Sequence, residues 1–264
     1  MITVVDGRLL ALMLKQFFAA LFPLLIFAPL GAQASLRVAA AADLEPVLPP
    51  LLVQFEKNTG IRAEATYQSS ATLTMQIENG APFDVFLSAD LSFPKRLIDA
   101  GLADSTTPIT YARGTLVLWE RKDSHLPPPS LDLLRSPALK RLAIANPDRA
   151  PYGRAAVAAL QRLKLYDSLK PRIVTAENIA QAAQFVDSAN ADAGLISLTS
   201  ALTQRLSADG SYFVMPRDLY PPIEQGAVIV SKTKQRAAAR KLLDFLLSPD
   251  VQAELAKSGL TPVK

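Results

Sequence analysis

The sequence predicts an α/β protein built as two modest lobes, and three observations carry that expectation. Beyond an N-terminal apolar segment, strand-like and helix-like stretches alternate along the whole chain. Residues 35–264 exceed a typical domain of roughly 100–150 residues. Half of the chain is apolar, which supplies ample material for buried cores. Repeated strand–helix–strand units imply a largely parallel sheet covered on both faces.

Residues 1–34 stand apart. Arg8 and Lys15 precede an apolar run from Phe17 to Leu30, followed by Gly31-Ala32-Gln33-Ala34. A basic start, an apolar core and a small-x-small ending are the three parts of a secretory signal peptide, with cleavage expected after Ala34. A membrane-spanning helix needs roughly 20 apolar residues. This run is shorter, carries Pro23 and Pro29, and has no basic stop after it. Met13-Leu14-Lys15 also makes a conventional start, which would make residues 1–12 an upstream misreading.

The elements follow in order. Ser35–Ala41 reads as a strand, and Leu51–Lys57 falls within a helix ending near Gly60. Ile61–Tyr67 is the next strand, and Thr72–Glu78 a short helix stopped at Asn79-Gly80. Asp84–Ala89 is a short apolar run of the buried-strand type, and the helix after it stops at Gly101. Glycine just past the last helical turn is the expected stop. In the second series, Thr115–Trp119 and Arg141–Ala145 look like strands. Arg154–Lys164 reads as an amphipathic helix with Ala155, Ala158, Leu160 and Leu163 inward. Arg172–Thr175 (strand), Ile179–Val186 (helix) and Ala193–Ile196 (strand) continue the alternation. Ala227–Ser231 is strand-like, Lys234–Leu247 helical, and Ser248-Pro249-Asp250 opens a last helix, proline being tolerated in a first turn. Lys122–Ser130, with three consecutive prolines, reads as a surface excursion.

Composition narrows the function. Without cysteine there is no disulfide framework, no thiolate metal site and no lipid-acceptor Cys after the apolar segment. An exported chain without a lipid anchor must be retained by an outer barrier, so a periplasmic location is expected. No second long apolar segment occurs, so the mature protein should be soluble. The net charge of +4 is scattered and fits ordinary solubility better than nucleic-acid binding. The single His125 lies in the proline-rich loop and leaves no Ser–His or Cys–His nucleophile pair. No metal-hydrolase motif or phosphate-cradling Gly-rich loop is present, so no enzyme is expected.

Four regions, read in order, then matter together. They are Val38-Ala-Ala-Ala-Ala-Asp-Leu44; Tyr67-Gln-Ser-Ser-Ala-Thr-Leu73 with Gly80-Ala-Pro-Phe-Asp-Val-Phe-Leu-Ser-Ala-Asp90; Ala145-Asn-Pro-Asp-Arg-Ala-Pro-Tyr-Gly153; and Glu177-Asn-Ile-Ala180. In this order and spacing the chain resembles the family of periplasmic molybdate-binding proteins (ModA family) over essentially all of residues 35–264. Phe245-Leu-Leu-Ser-Pro-Asp250 also looks like the family's break between its last two helices. The resemblance implies a type II periplasmic-binding-protein fold: two lobes, each a mainly parallel sheet flanked by helices, joined by two hinge crossovers. Lobe one would be residues 35–112 plus 231–264, and lobe two residues 113–230. The chain would cross near Tyr111–Gly114 and return near Gly226–Ser231, with the lobes closing over a cleft. The implied ligand is molybdate or tungstate, with no cofactor and no metal as a bare ion. The implied partners are an ABC transporter permease and its ATPase, and the receptor itself would be a monomer.

A tetrahedral dianion is held away from water most cheaply by neutral donors. Helix N-termini offer unpaired N–H groups and about half a positive charge, whereas burying a full ion pair costs several kcal/mol per ion. The resemblance implies that Ser70 gives its hydroxyl and N–H, Ala42 and Asp43 their N–H groups, Ile179 an N–H, and Tyr152 an N–H and its phenol. Ser197 aligns where some members of the family place a ligand tyrosine, and the phenol of Tyr152 is the candidate replacement.

Asp43 stands where many members carry Ser or Asn. Three readings compete: it caps a helix beginning near Leu44, it takes up a proton when the anion binds, or it coordinates the metal centre. The cap is favoured. Pro46, Pro49 and Pro50 each remove a donor and would distort the first turns of that helix. Asp84 and Asp90 read as loop and capping residues rather than a carboxylate pair. The alternative function is a receptor for another tetrahedral oxyanion, phosphate or sulfate, with Asp43 accepting the phosphate proton.

Overall fold

The computed structural model describes residues 34–263, so the expected signal peptide and the alternative start at Met13 lie outside the described residues. From there the chain runs β1 (Leu36–Ala41), α1 (Leu48–Thr59), β2 (Ala63–Gln68), α2 (Ser70–Glu78), β3 (Val85–Ser88), α3 (Ser92–Asp99) and β4 (Ile109–Gly114). The second series is β5 (Leu116–Arg121), β6 (Leu142–Ala145), α4 (Pro151–Arg162), α5 (Tyr166–Leu169), β7 (Ile173–Ala176), α6 (Ile179–Asp187), β8 (Ala193–Ser197), α7 (Leu198–Ala201), α8 (Gln204–Asp209) and β9 (Gly210–Val214). It closes with β10 (Ile223–Ile229), α9 (Arg236–Leu246), α10 (Pro249–Lys257) and β11 (Thr261–Pro262).

These strands form two sheets, ordered β11-β4-β10-β3-β1-β2 and β7-β6-β8-β5-β9. Each keeps a parallel three-stranded core, β2-β1-β3 and β7-β6-β8. The rest pair antiparallel, so the sheets are mixed rather than mainly parallel. β5 and β10, the strands by which the chain enters a sheet after each crossing, run against the parallel core, whereas β4 and β9, by which it leaves, run with it.

The first crossing follows Gly114, close to the expected position. The return lies earlier than expected: β10 belongs to the first sheet from Ile223 onward, so the crossing falls between Val214 and Ile223 rather than at Gly226–Ser231. Gln225-Gly226 interrupts the apolar run there and hides the true start of the strand. The register slips between those two residues, as at a β-bulge.

Local chemistry explains the element ends. Gly60 terminates α1 in the left-handed region at φ 71°, where glycine meets no Cβ penalty. α1 starts at Leu48, not near Leu44, because Pro46 and Pro49 hold the chain in turns until a proline can occupy a first turn at no cost. On α4, Ala155 and Leu160 face inward as expected, but Ala158 and Leu163 are only half-buried; Ala156 and Ala159 are buried beside them. Lobe two packs around Trp119, Leu195 and Ile144, while the first sheet carries separate clusters on its two faces, around Phe55 and around Phe86.

Both suspected carboxylates have structural duties. Asp84 accepts the Arg37 amide hydrogen at 2.7 Å and bonds Thr233 and Gln235 in the loop after β10. Asp90 accepts from Phe93 N at 3.2 Å at the start of α3, as a capping residue should.

Candidate functional site

Four chain turns meet between the sheets. The first is the 3-10 turn Ala42–Leu44 after β1; the others are the N-termini of α2, α4 and α6. They border a small pocket lined by Ala42, Asp43, Ser70, Ala89, Tyr152 and Ile179, among others, with a cavity volume of about 10 Å³. That is far below the roughly 300 Å³ at which pockets for drug-sized organic ligands begin. The N–H groups of Ser70, Tyr152 and Ile179 lie in first helical turns, where no partner exists within the same helix. Three helix N-termini aimed at one small space make a site for a compact anion.

Each turn is set locally. Ser69, not Ser70, is the side-chain cap of α2, accepting from Thr72 N at 3.3 Å. Ser70 is released from that duty: its Oγ accepts from Ala89 N at 3.1 Å, which leaves its own O–H to donate. Asn178 caps α6 by accepting from Gln181 N at 2.9 Å. Asn146 folds the turn before α4, accepting from Asp148 N through its side chain and from Ala150 N through its carbonyl. Gly153 lets α4 approach β6: a Cβ there would stand 2.3 Å from the Ala145 carbonyl oxygen.

Asp43 departs from the favoured expectation. It caps nothing; the turn begins at Ala41 without a side-chain cap. Its fully buried carboxyl instead accepts through Oδ2 from the Tyr152 hydroxyl at 3.2 Å and from Gln225 Nε2. Oδ1 is buried without a partner. Burial pushes the Asp43 carboxyl up to about 6, against the opposing pull of Gln225, of Tyr152 and of its own backbone N–H. The phenols of Tyr111 and Tyr152 are raised well above the usual range, first by burial and then by the Asp43 charge.

The Tyr152 phenol therefore serves Asp43, a role different from the anion contact expected of it. Ser197 is not among the pocket's lining residues. It caps α7, accepting from Ser200 N at 3.2 Å. Thr199 beside it donates to the Asp43 carbonyl at 2.7 Å. The other five expected residues, Ala42, Asp43, Ser70, Tyr152 and Ile179, all line the pocket.

Sequence reasoning missed Gln225, Tyr111 and Thr199. A glycine inside an apolar strand marks a bulge, so Gly226 was the available signal for Gln225. Tyr111 and Thr199 carried none.

Contacts between the lobes surround the pocket. Ala71 N donates to the Arg149 carbonyl at 3.1 Å. Arg154 pairs with Asp90 and stacks over the Phe93 ring, 5.3 Å from its centroid. Within lobe two, Arg149 pairs with Glu177. Both arginines are thereby matched by carboxylates, and the pocket is left to neutral donors.

Residues 36–261 match the family model described as bacterial extracellular solute-binding protein. The chain is 40% identical to the molybdate-binding protein ModA of Azotobacter vinelandii, over 82% of this chain and 85% of that relative. It is 36% identical to the molybdate-binding protein ModA of Rhodobacter capsulatus, over 84% and 86%. The structure of the Azotobacter vinelandii periplasmic molybdate-binding protein superposes with a TM-score of 0.82 at 34% identity, covering 87% of this chain and all of that one.

Proposed function

The chain belongs to the ModA family of bacterial extracellular solute-binding proteins, and from that premise we propose that it captures molybdate, and tungstate with it, in the pocket between its sheets. The observation that carries this reading is the convergence of the α2, α4 and α6 N-termini on one small space, with Ser70 free to donate its hydroxyl. Neutral donors suit a dianion because they need no buried counter-charge. In this reading Ala42, Asp43, Ser70, Tyr152 and Ile179 contribute N–H groups, and Ser197 supports the site from behind through α7.

The receptor is exported to the periplasm as a monomer, with residues 1–34 removed, and hands the anion to an ABC permease driven by its ATPase. Closure and opening move residues 115–222 against the first sheet. It acts as a receptor, not an enzyme.

Calorimetric titration of the purified chain with molybdate, tungstate, sulfate and phosphate tests this. Sub-micromolar binding of the first two with no heat from the others is expected. Binding of sulfate or phosphate in their place sinks the reading.

A further inference from the structure

Building on the anion-binding reading above, we propose that Asp43 meets the ligand as a neutral acid: Oδ1 carries a hydrogen that it donates to an oxygen of the bound oxyanion, so that capture takes up one proton. The geometry that points there is the unequal treatment of the two carboxyl oxygens. Oδ2 accepts from Tyr152 and Gln225, the part played by the carbonyl oxygen of an acid. Oδ1 is buried without a partner, the one such side-chain oxygen among the described residues that line the pocket. A buried oxygen left unpaired is costly, and an O–H there gains its acceptor when an oxyanion arrives. A carboxylate in the same place repels a dianion.

The surroundings favour the acid. The groups facing Asp43 are Tyr152 on α4, Gln225 on β10, Tyr111 on β4 and Thr199 on α7. All are neutral at physiological pH, and no cation is among the influences on the carboxyl. Its affinity for a proton is already raised by burial, and a neighbouring anion raises it further. The proton comes from solvent and bonds to Oδ1, where the ligand oxygen accepts its hydrogen bond. No other bond forms or breaks.

The experiment is calorimetric titration with molybdate at pH 8 in two buffers of different ionisation enthalpy, repeated from pH 7 to 9. About one proton should be taken up per ligand, and affinity should fall about tenfold per pH unit. Asp43→Asn presents an amide donor of the same shape, so its binding should take up no proton and lose the pH slope. Wild-type binding with no proton uptake and a flat pH profile overturns the proposal while leaving the receptor reading intact. Proton uptake that persists in Asp43→Asn overturns the assignment to Asp43. Failure to bind any tetrahedral oxyanion overturns the receptor reading, and the proposal falls with it.

Discussion

Gly114 and Tyr152 lie so close that a Cβ on Gly114 would stand 2.2 Å from the Tyr152 hydroxyl oxygen. Gly114 ends the last strand before the chain crosses, and Tyr152 opens α4 in the other lobe, so their approach measures how tightly the lobes are shut. Gly114→Ala should push the phenol off Asp43 and hold the lobes apart. Affinity for molybdate should fall tenfold or more, about 1.4 kcal/mol. Calorimetry checks this, and an unchanged affinity would mean that closure tolerates the extra carbon.

Tyr152→Phe isolates the hydrogen bond from the packing. The ring still fills its place, but Asp43 Oδ2 keeps only Gln225 as donor. Hydrogen bonds to charged groups contribute about 1.5–3 kcal/mol, and loss of one should raise the Asp43 carboxyl further. A chemical-shift titration of labelled Asp43 should show its midpoint moved upward in the variant; a midpoint at or below the wild-type value contradicts the assignment.

Stability should carry the signature of Asp43. Its folded carboxyl is raised to about 6 from an ordinary 3.8, so the folded state holds this proton more tightly than the unfolded state. The associated stability is present at low pH, is lost as pH rises from about 4 to about 6, and stays lost above that. At about 1.36 kcal/mol per pKa unit the span approaches 3 kcal/mol. Urea unfolding of Asp43→Asn should therefore match or exceed wild type at pH 8. The difference between the two proteins should shrink toward pH 4.5.

The Arg154–Asp90 pair should matter less than its geometry invites. Arg154 is 42% exposed, and exposed pairs contribute about 0–1 kcal/mol. Arg154→Ala also removes the stacking on Phe93, so affinity should drop roughly two- to tenfold, on the order of 1 kcal/mol. The drop should shrink in high salt. A loss of a hundredfold would mean that the pair anchors closure rather than trims it.

How much of this was legible depended on what each feature needs. Alternation placed the parallel cores, because buried strands such as Val85–Ser88 are short apolar runs bounded by turn residues. β4, β9 and β11 escaped: Ile109–Gly114 and Gly210–Val214 are each partly exposed, and Thr261–Pro262 is only a two-residue partner of β4. In the candidate site, motifs located Ser70, Tyr152 and Ile179 because each sits at a helix start, which local sequence marks. The direction of the Asp43 carboxyl was not legible, since it is fixed by Gln225, 182 residues away in sequence. Capping was the local expectation, and long-range donors overrode it.

The placement of β10 has a consequence for the order in which the molecule can be assembled. It lies between β3 and β4, yet it is synthesised after all of residues 115–222. Until it arrives, the first sheet is two fragments with β3 and β4 each presenting an open edge. The intervening segment begins and ends beside one ladder rung, since Gly114 and Ile223 are register partners, so it can fold as an uninterrupted unit first. The lobe that starts the chain is therefore the last to be finished. Its missing central strand is also the one that delivers Gln225 to Asp43, so the polar core of the candidate site forms as the two fragments of the sheet are joined, with only the edge strand β11 still to add.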